Sequence, residues 1–300
     1  MSRVLVTGAS GFVGLPCLAH LAAAGHEVHA VTRGEAHPDS PAGVRWHRGD
    51  LLEDVGVVER VAPEILVHLA WYAKHGTFWE APENVEWVEA SLRVLRGFVG
   101  AGGRRAVLVG TCAEYDWHGD GYLQDGETPL RPATLYGVSK DALRRVASAY
   151  AAREGTEIAW ARLFFMYGPG EEAERLVPAV IRPLLAGKPA QTTSGSQVRD
   201  FMHVDDVGAA LAALAEGNVT GAVNIATGEG VTIAEVVDMI GELAGAEQLI
   251  ERGALPTRAS DPPRIVGDAS RLARELGFSP RIELRDGLAA TIEWWRERTP

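Results

Sequence analysis

Cysteine is nearly absent from this chain, with Cys17 and Cys112 the two among 300 residues. Thiols so sparse exclude a disulfide framework, and they lack metal-ligand spacing, so no metal site is expected. No apolar run approaches membrane-spanning length. Basic charge is in deficit too, 29 Lys and Arg against 40 Asp and Glu, for a net charge of −11. A chain this acidic lacks the basic face that binding along a nucleic-acid backbone requires. Internal repeats and low-complexity tracts are missing, and the first strand-like run occupies the N-terminus with no separate signal segment ahead of it. Together these absences predict a cytoplasmic protein with neither a nucleic-acid nor a membrane partner.

The composition that remains, 46% hydrophobic and 23% charged, can bury one large core or two modest ones. The stretch Val4-Leu5-Val6-Thr7-Gly8-Ala9-Ser10-Gly11-Phe12-Val13-Gly14 organises the chain. A buried strand breaks into glycines and then into helix-forming residues, which makes a strand-to-helix corner. Gly8 allows the tight turn, Gly11 lets a diphosphate approach the backbone, and Gly14 lets the helix pack on the strand. Unpaired N–H groups and the helix dipole, around Phe12 and Val13, attract the phosphates.

Strand-like runs recur at 3–7, 27–32, 44–47, 65–69, 105–110 and 157–163, with helical stretches near 12–24, 53–61, 83–101 and 135–154 between them. That rhythm predicts an α/β doubly wound parallel sheet. The helix at 83–101 is amphipathic, and its Val85, Val88, Leu92 and Leu95 are expected to cover the sheet. After Gly168 the alternation weakens, and short helices near 174–186 and 232–244 mark a smaller, mostly helical domain. Val204–Glu216 and Val223–Ala226 read as a helix and strand that rejoin the sheet. The expected division is therefore 1–165 plus about 198–227 for the dinucleotide domain, and 166–197 plus 228–300 for the substrate domain. Two final helices are expected, at 268–277, ending in Gly277, and at 284–297.

Tyr136-Gly137-Val138-Ser139-Lys140 places a phenol and an ammonium on one helix face, about one turn (roughly 6 Å) apart. An ammonium there lowers the phenol's proton affinity, so that Tyr136 can give or take a proton at a carbon undergoing hydride transfer. The run ending at Thr111 puts its hydroxyl at the carboxyl end of a strand, where an open parallel sheet forms its ligand crevice.

The corner at 7–14, Thr111, Tyr136 and Lys140 resemble the extended short-chain dehydrogenase/reductase family, Rossmann-fold epimerases and dehydratases acting on nucleotide sugars. Gly49-Asp50-Leu51 is similar to that family's adenine contact, and His68-Leu69-Ala70 to its fourth-strand cofactor contact. Arg199-Asp200-Phe201-Met202-His203-Val204-Asp205-Asp206-Val207 is similar to its substrate-domain signature, and Asn224-Ile225-Ala226-Thr227-Gly228 to a later segment. The resemblance implies catalytic Thr111, Tyr136 and Lys140, and a homodimer joined through the helices at 83–101 and 135–154. It also implies Arg199 on the nucleotide diphosphate, with Arg264 either a second phosphate contact or a solvated charge.

Departures from the family pattern narrow the reaction. The second strand ends Thr32-Arg33, whereas a site preferring NAD offers Asp or Glu there. Arginine suits the 2′-phosphate of NADP by charge and by its planar donor fork, with NAD the alternative. The resemblance assigns an acid and a base to the two positions after the strand-five threonine in dehydratases; Cys112 and Ala113 cannot do that work. Glu114, one residue on, should face away unless a bulge re-aims it.

The expectation is an NADPH-dependent reductase of a nucleotide-linked 4-keto-6-deoxyhexose, with an NAD-dependent 4-epimerase as the alternative. Phe165 replaces the family's substrate-contacting Asn, which leaves reduction of a non-sugar carbonyl open, and a non-catalytic redox sensor is a further reading. Trp71, Tyr72, Lys74, His75 and Trp79 follow the fourth strand, where they either line a substrate or pack the loop. The loop Asp116–Gly121 is either a lid or a flexible turn. His203, Asp205 and Asp206 are read as helix capping.

Overall fold

Odd and even positions along the first strand go to opposite cores. Residues Arg3–Thr7 form β1; Val4 and Val6 pack with Cys17, Leu18 and Leu21, while Leu5 packs with Val58, Leu95 and Phe98. This is the period-two alternation of a strand buried on both faces, as parallel sheets require. The computed structural model describes residues 1–119, 121–258 and 261–298. Further strands are β2 (Glu27–Thr32), β3 (Arg45–Arg48), β4 (Ile65–His68), β5 (Arg105–Thr111) and β6 (Glu157–Leu163).

With the strand Gly221–Ile225 they form a seven-stranded sheet. Its order is Gly221–Ile225, β6, β5, β4, β1, β2, β3, and every pairing is parallel. Strand order reverses between β1 and β4, so the crevice lies beyond the carboxyl ends of these two. The helices are α1 (Gly14–Ala23), α2 (Gly56–Val61), α3 (Glu83–Gly100), α4 (Leu135–Glu154), α5 (Leu176–Leu185) and α6 (Val204–Glu216). Apolar residues of α1 and α6 cover one sheet face, and those of α2, α3 and α4 cover the other. The chain is thus a doubly wound Rossmann fold.

One helix face differs from expectation. On α3 the side chains that reach the sheet are Trp87, Ala90, Val94, Leu95 and Phe98. Val85 is 59% exposed and Val88 lies outside the core, while Leu92 packs half-buried against it, and only Leu95 of the expected four is fully enclosed. Both stripes recur with helical spacing, and periodicity alone does not say which one meets the sheet.

A second core gathers α5, α7 (Ile233–Ala244) and α9 (Leu284–Arg296), with α8 (Ser270–Leu276) between the last two. Val177, Ile181, Leu184, Val237, Ile240, Leu288 and Ile292 meet there. Short strand pairs that the sequence rhythm did not announce join this region to the sheet. Phe165–Tyr167 runs parallel to Phe201–His203, and Val198–Arg199 lies between Val231–Thr232 and Arg264–Ile265. Among the described residues no helix is long and apolar enough to cross a membrane.

Candidate active site

The glycine corner closes β1 onto α1 at the crevice. Gly8 has φ +67°, and a β-carbon there would lie 2.7 Å from the Ala70 backbone nitrogen, so a side chain would part β1 from the end of β4. Gly11 N–H donates to the Gly8 carbonyl and Gly14 N–H to the Gly11 carbonyl. The N–H groups of Phe12 and Val13 have no acceptor among the described residues, and α1 begins without a side-chain cap. Free donors at a helix start attract anions. The corner therefore fits the diphosphate of a dinucleotide, which the backbone of Phe12 and Val13 would hold.

Beyond β1 the chain braces the same crevice from β4. Leu69 N–H donates to the Thr7 carbonyl, and Ala70 N–H donates to Thr7 Oγ1. His68 is buried between Thr7 Oγ1 at 2.7 Å and Ser91 Oγ at 2.8 Å. Burial pushes its imidazole down to about 3, so it is neutral and locks β4 to β1 and α3. At the end of β3, Asp50 Oδ1 accepts from Leu52 N–H, and Leu51 is buried in the core under β2.

Tyr136 and Thr111 meet because α4 approaches the turn after β5 closely. A β-carbon on Gly137 would sit 2.5 Å from the Ala113 carbonyl oxygen, so only glycine allows that approach. Thr134 caps α4, its hydroxyl accepting from Gly137 N–H. Burial pushes the Tyr136 phenol well above its usual range, while the facing Thr111 hydroxyl pulls it down. Phe78 and Trp79 stand edge-on to the phenol ring, with centroids 5.0 and 5.8 Å away, and Trp117 stands edge-on to Trp79.

Lys140 is one turn further along α4, its Nζ 6.0 Å from the Tyr136 ring centre. It donates to the Val109 carbonyl at 2.8 Å, and burial pushes its ammonium down to about 7. The structure thus gathers Thr111, Tyr136 and Lys140 at one point beside the glycine corner. The raised Tyr136 differs from the expectation of a phenol eased by its lysine, because the aromatic walls keep water from stabilising the phenolate.

Glu114 is withdrawn from this point. After Thr111 the chain turns into a 3-10 turn, Cys112–Glu114, closed by a capping box in which Glu114 accepts from Thr111 N–H at 2.8 Å. The carboxylate is fully enclosed and also accepts from Trp160 Nε1 and from Arg162 Nε. Cys112 is a buried thiol that burial pushes up to about 12, which leaves it protonated and inert.

Arg33 is exposed just past β2, where Thr32 Oγ1 accepts from Gly34 N–H. On the opposite side of the crevice Arg199 pairs with Asp261, Nη2 to Oδ1, at 2.5 Å; Asp200 instead accepts from the backbone of Thr227, Gly228 and Gly267. The Phe165 ring lies 5.4 Å from the Arg199 guanidinium carbon, and Arg264 lies 5.2 Å from the Tyr122 ring. The Tyr72 hydroxyl bonds Thr77 in its own loop.

His203 Nδ1 accepts from Asp205 N–H, and Asp206 accepts from Arg281 and Ile282 N–H, so these three do structural work. Of the loop at 116–121, Asp120 lies outside the described residues, and Asp116 accepts from His118 and Arg131. A cavity of about 440 Å³ opens elsewhere, between Phe201, Glu229, Phe278 and Glu283. It touches none of the gathered groups, so chemistry rather than cavity size locates the site.

Sequence reasoning missed Arg175, Asp261 and Glu171. Arg175, at the start of α5, stands 5.8 Å from the Phe78 ring and acts on the Tyr136 phenol through its charge. Glu171 is 6% exposed, and its Oε2 has no hydrogen-bond partner among the described residues. Arg175 and Asp261 make their contacts across long sequence separations, which leaves no local spacing to read, and Glu171 is tied to them through Arg175.

A family model for the NAD dependent epimerase/dehydratase family matches residues 4–226. The chain is 29% identical, over 99% of its length and 94% of the relative's, to dTDP-glucose 4,6-dehydratase of Streptomyces griseus. It is 28% identical to UDP-glucose 4-epimerase of Corynebacterium glutamicum, over 93% and 91%. It is 27% identical to GDP-6-deoxy-D-mannose reductase of Pseudomonas aeruginosa, over 99% and 98%. Among solved structures, MoeE5 in complex with UDP-glucuronic acid and NAD superposes with a TM-score of 0.86 at 34% identity, covering 99% of each chain.

Proposed function

Because this chain belongs to the NAD dependent epimerase/dehydratase family, whose members act on nucleotide sugars, we propose that it is an NADPH-dependent reductase. Its substrate in this reading is the C4 keto group of a nucleotide-linked 4-keto-6-deoxyhexose. The observation that carries the reading is the end of β2, where Thr32 and the exposed Arg33 stand in place of a carboxylate. A guanidinium matches a 2′-phosphate in charge and fork geometry. A net reductase exchanges a reduced cofactor, whereas an epimerase recycles one it keeps.

The roles follow from the side chains. When bound, the dinucleotide supplies the hydride. Tyr136, protonated at neutral pH because its pKa is raised by burial, gives its proton to the oxygen of the reacting carbon. Thr111 hydrogen-bonds the same oxygen, and the Lys140 charge favours phenolate once the proton has left. Gly8, Gly11, Gly14, Asp50, Leu51, Leu69 and Ala70 frame the cofactor. Arg199 takes the sugar's diphosphate in exchange for Asp261, with Arg264 beside it, and Tyr72 and Phe165 line the sugar. Dehydration is disfavoured, because Glu114 is engaged by Arg162 and Trp160.

A 4-epimerase that retains NAD is the second reading, supported by the likeness to UDP-glucose 4-epimerase and to a relative with NAD bound. We also infer a homodimer, since Val85 on α3 and Val138 and Val146 on α4 are exposed apolar side chains on neighbouring helices, and we keep the cytoplasmic location expected from the sequence. The deciding experiment offers NADPH with a panel of nucleotide-linked 4-keto sugars and follows the NADPH absorbance. Consumption with one of them supports the reductase; no consumption, together with interconversion of UDP-hexoses by protein that purifies with NAD, establishes the epimerase instead.

A further inference from the structure

Lys140 is 3% exposed, and among the described residues its ammonium has one hydrogen-bond acceptor, the Val109 carbonyl. No carboxylate lies within ion-pair distance of it there. The Trp71 indole covers the charge instead, with Nζ 3.7 Å from the ring centre. Trp71 is not free to leave. Its Nε1 donates to Asn84 Oδ1 at 2.8 Å, and the enclosed Asn84 amide donates to the Phe78 and Ala81 carbonyls. Trp87 packs at 6.4 Å on another side.

The other groups that act on the ammonium are few. Tyr136 comes from α4, neutral His68 from β4, and Glu114 from the turn after β5, where its charge is engaged by Arg162. We propose that Trp71 is a positioning residue, whose indole face, braced by Asn84, holds the Lys140 ammonium charged and in place beside Tyr136. A dry cation over an indole face is attracted by the ring quadrupole. Because burial has already brought Lys140 close to neutrality, losing that attraction moves its charge state within the working pH range. Trp71 acts through Lys140, so the proposal rests on the roles given above to Tyr136 and Lys140.

Lys74, Lys140 and Lys188 are the lysines of the chain, so protein labelled with ¹³C-lysine gives Cε signals assignable with Lys74→Arg and Lys188→Arg. The titration needs neither substrate nor turnover. The Lys140 midpoint is expected to stay close to the wild-type value in Trp71→Phe and to fall by about one pH unit in Trp71→Leu. A Trp71→Leu midpoint equal to wild type, or an equal fall in both variants, overturns the proposal.

Should Trp71→Leu not fold, growth on fluorotryptophan weakens the ring face at nearly constant volume. A lowered Lys140 midpoint supports the contact, and an unchanged one overturns it. The alkaline limb of turnover should move with the midpoint in Trp71→Leu. A midpoint that moves while the pH profile of turnover stands still supports Trp71 and overturns the role of Lys140.

Discussion

Glu114 Oε2 accepts a hydrogen bond from Arg162 Nε at 2.8 Å, with both side chains out of solvent. Removing Glu114 leaves the buried Arg162 guanidinium with Asp125, 3.2 Å away, as its remaining carboxylate, and strands the Trp160 Nε1 and Thr111 N–H donors. Glu114→Ala is expected to lower stability by about 3–5 kcal/mol in urea unfolding, with the slope unchanged. A loss below about 1 kcal/mol would show that water reaches the pair.

Tyr136→Phe keeps the ring between Phe78 and Trp79 and removes only the hydroxyl. Turnover should fall by about 10²–10⁴-fold while the NADPH dissociation constant stays at the wild-type value. Full activity in this variant excludes Tyr136 as proton donor.

Arg33→Ala tests the cofactor. A lost charge-assisted contact is worth about 1.5–3 kcal/mol, so KM for NADPH should rise about 10–100-fold with little change for NADH. Equal changes for both cofactors would place Arg33 away from the 2′-phosphate.

Glu171 gives a pH signature. Burial pushes its carboxyl from 4.5 up to about 8, against the pull of Arg175. The folded protein therefore keeps a proton that the unfolded chain has released. Stability from this group is fully present below 4.5 and is lost as pH rises towards 8. Glu171→Gln cannot ionise, so its melting temperature relative to wild type should climb between pH 5 and 8.5. A difference that does not vary with pH means that the carboxyl titrates normally.

Val146→Glu places a charge on the exposed apolar stripe of α4. Light scattering should report a dimer for wild type and a monomer for the variant, with the far-ultraviolet circular dichroism retained. A wild-type monomer removes the proposed association.

Much of this architecture can be read from one chain because buried parallel strands are short aliphatic runs set between glycines and helices. Residues 3–7, 27–32 and 157–163 coincide with β1, β2 and β6, and α6 spans Val204–Glu216 as expected. Ends stopped by chemistry are legible too, as at Gly155 and Gly277, both left-handed caps. The face of α3 was not legible, because that helix carries apolar residues on two sides and one of them stays uncovered. Nor were the partners of the site groups. Tyr136 and Lys140 are four positions apart and declare themselves, whereas Asp261 reaches Arg199, and Trp71 reaches Lys140, only after two distant segments fold together. The retreat of Glu114 depends on a turn too short to leave a periodic trace.

The bare amino end of α1 links heat resistance to metabolic supply. The Phe12 and Val13 N–H groups just ahead of it find no acceptor among the described residues, so in the proposed reading the dinucleotide's diphosphate supplies one. Binding at a hundred times the dissociation constant adds about 2.7 kcal/mol to the folded state. A cell rich in the dinucleotide would hold a tougher enzyme than a starved one.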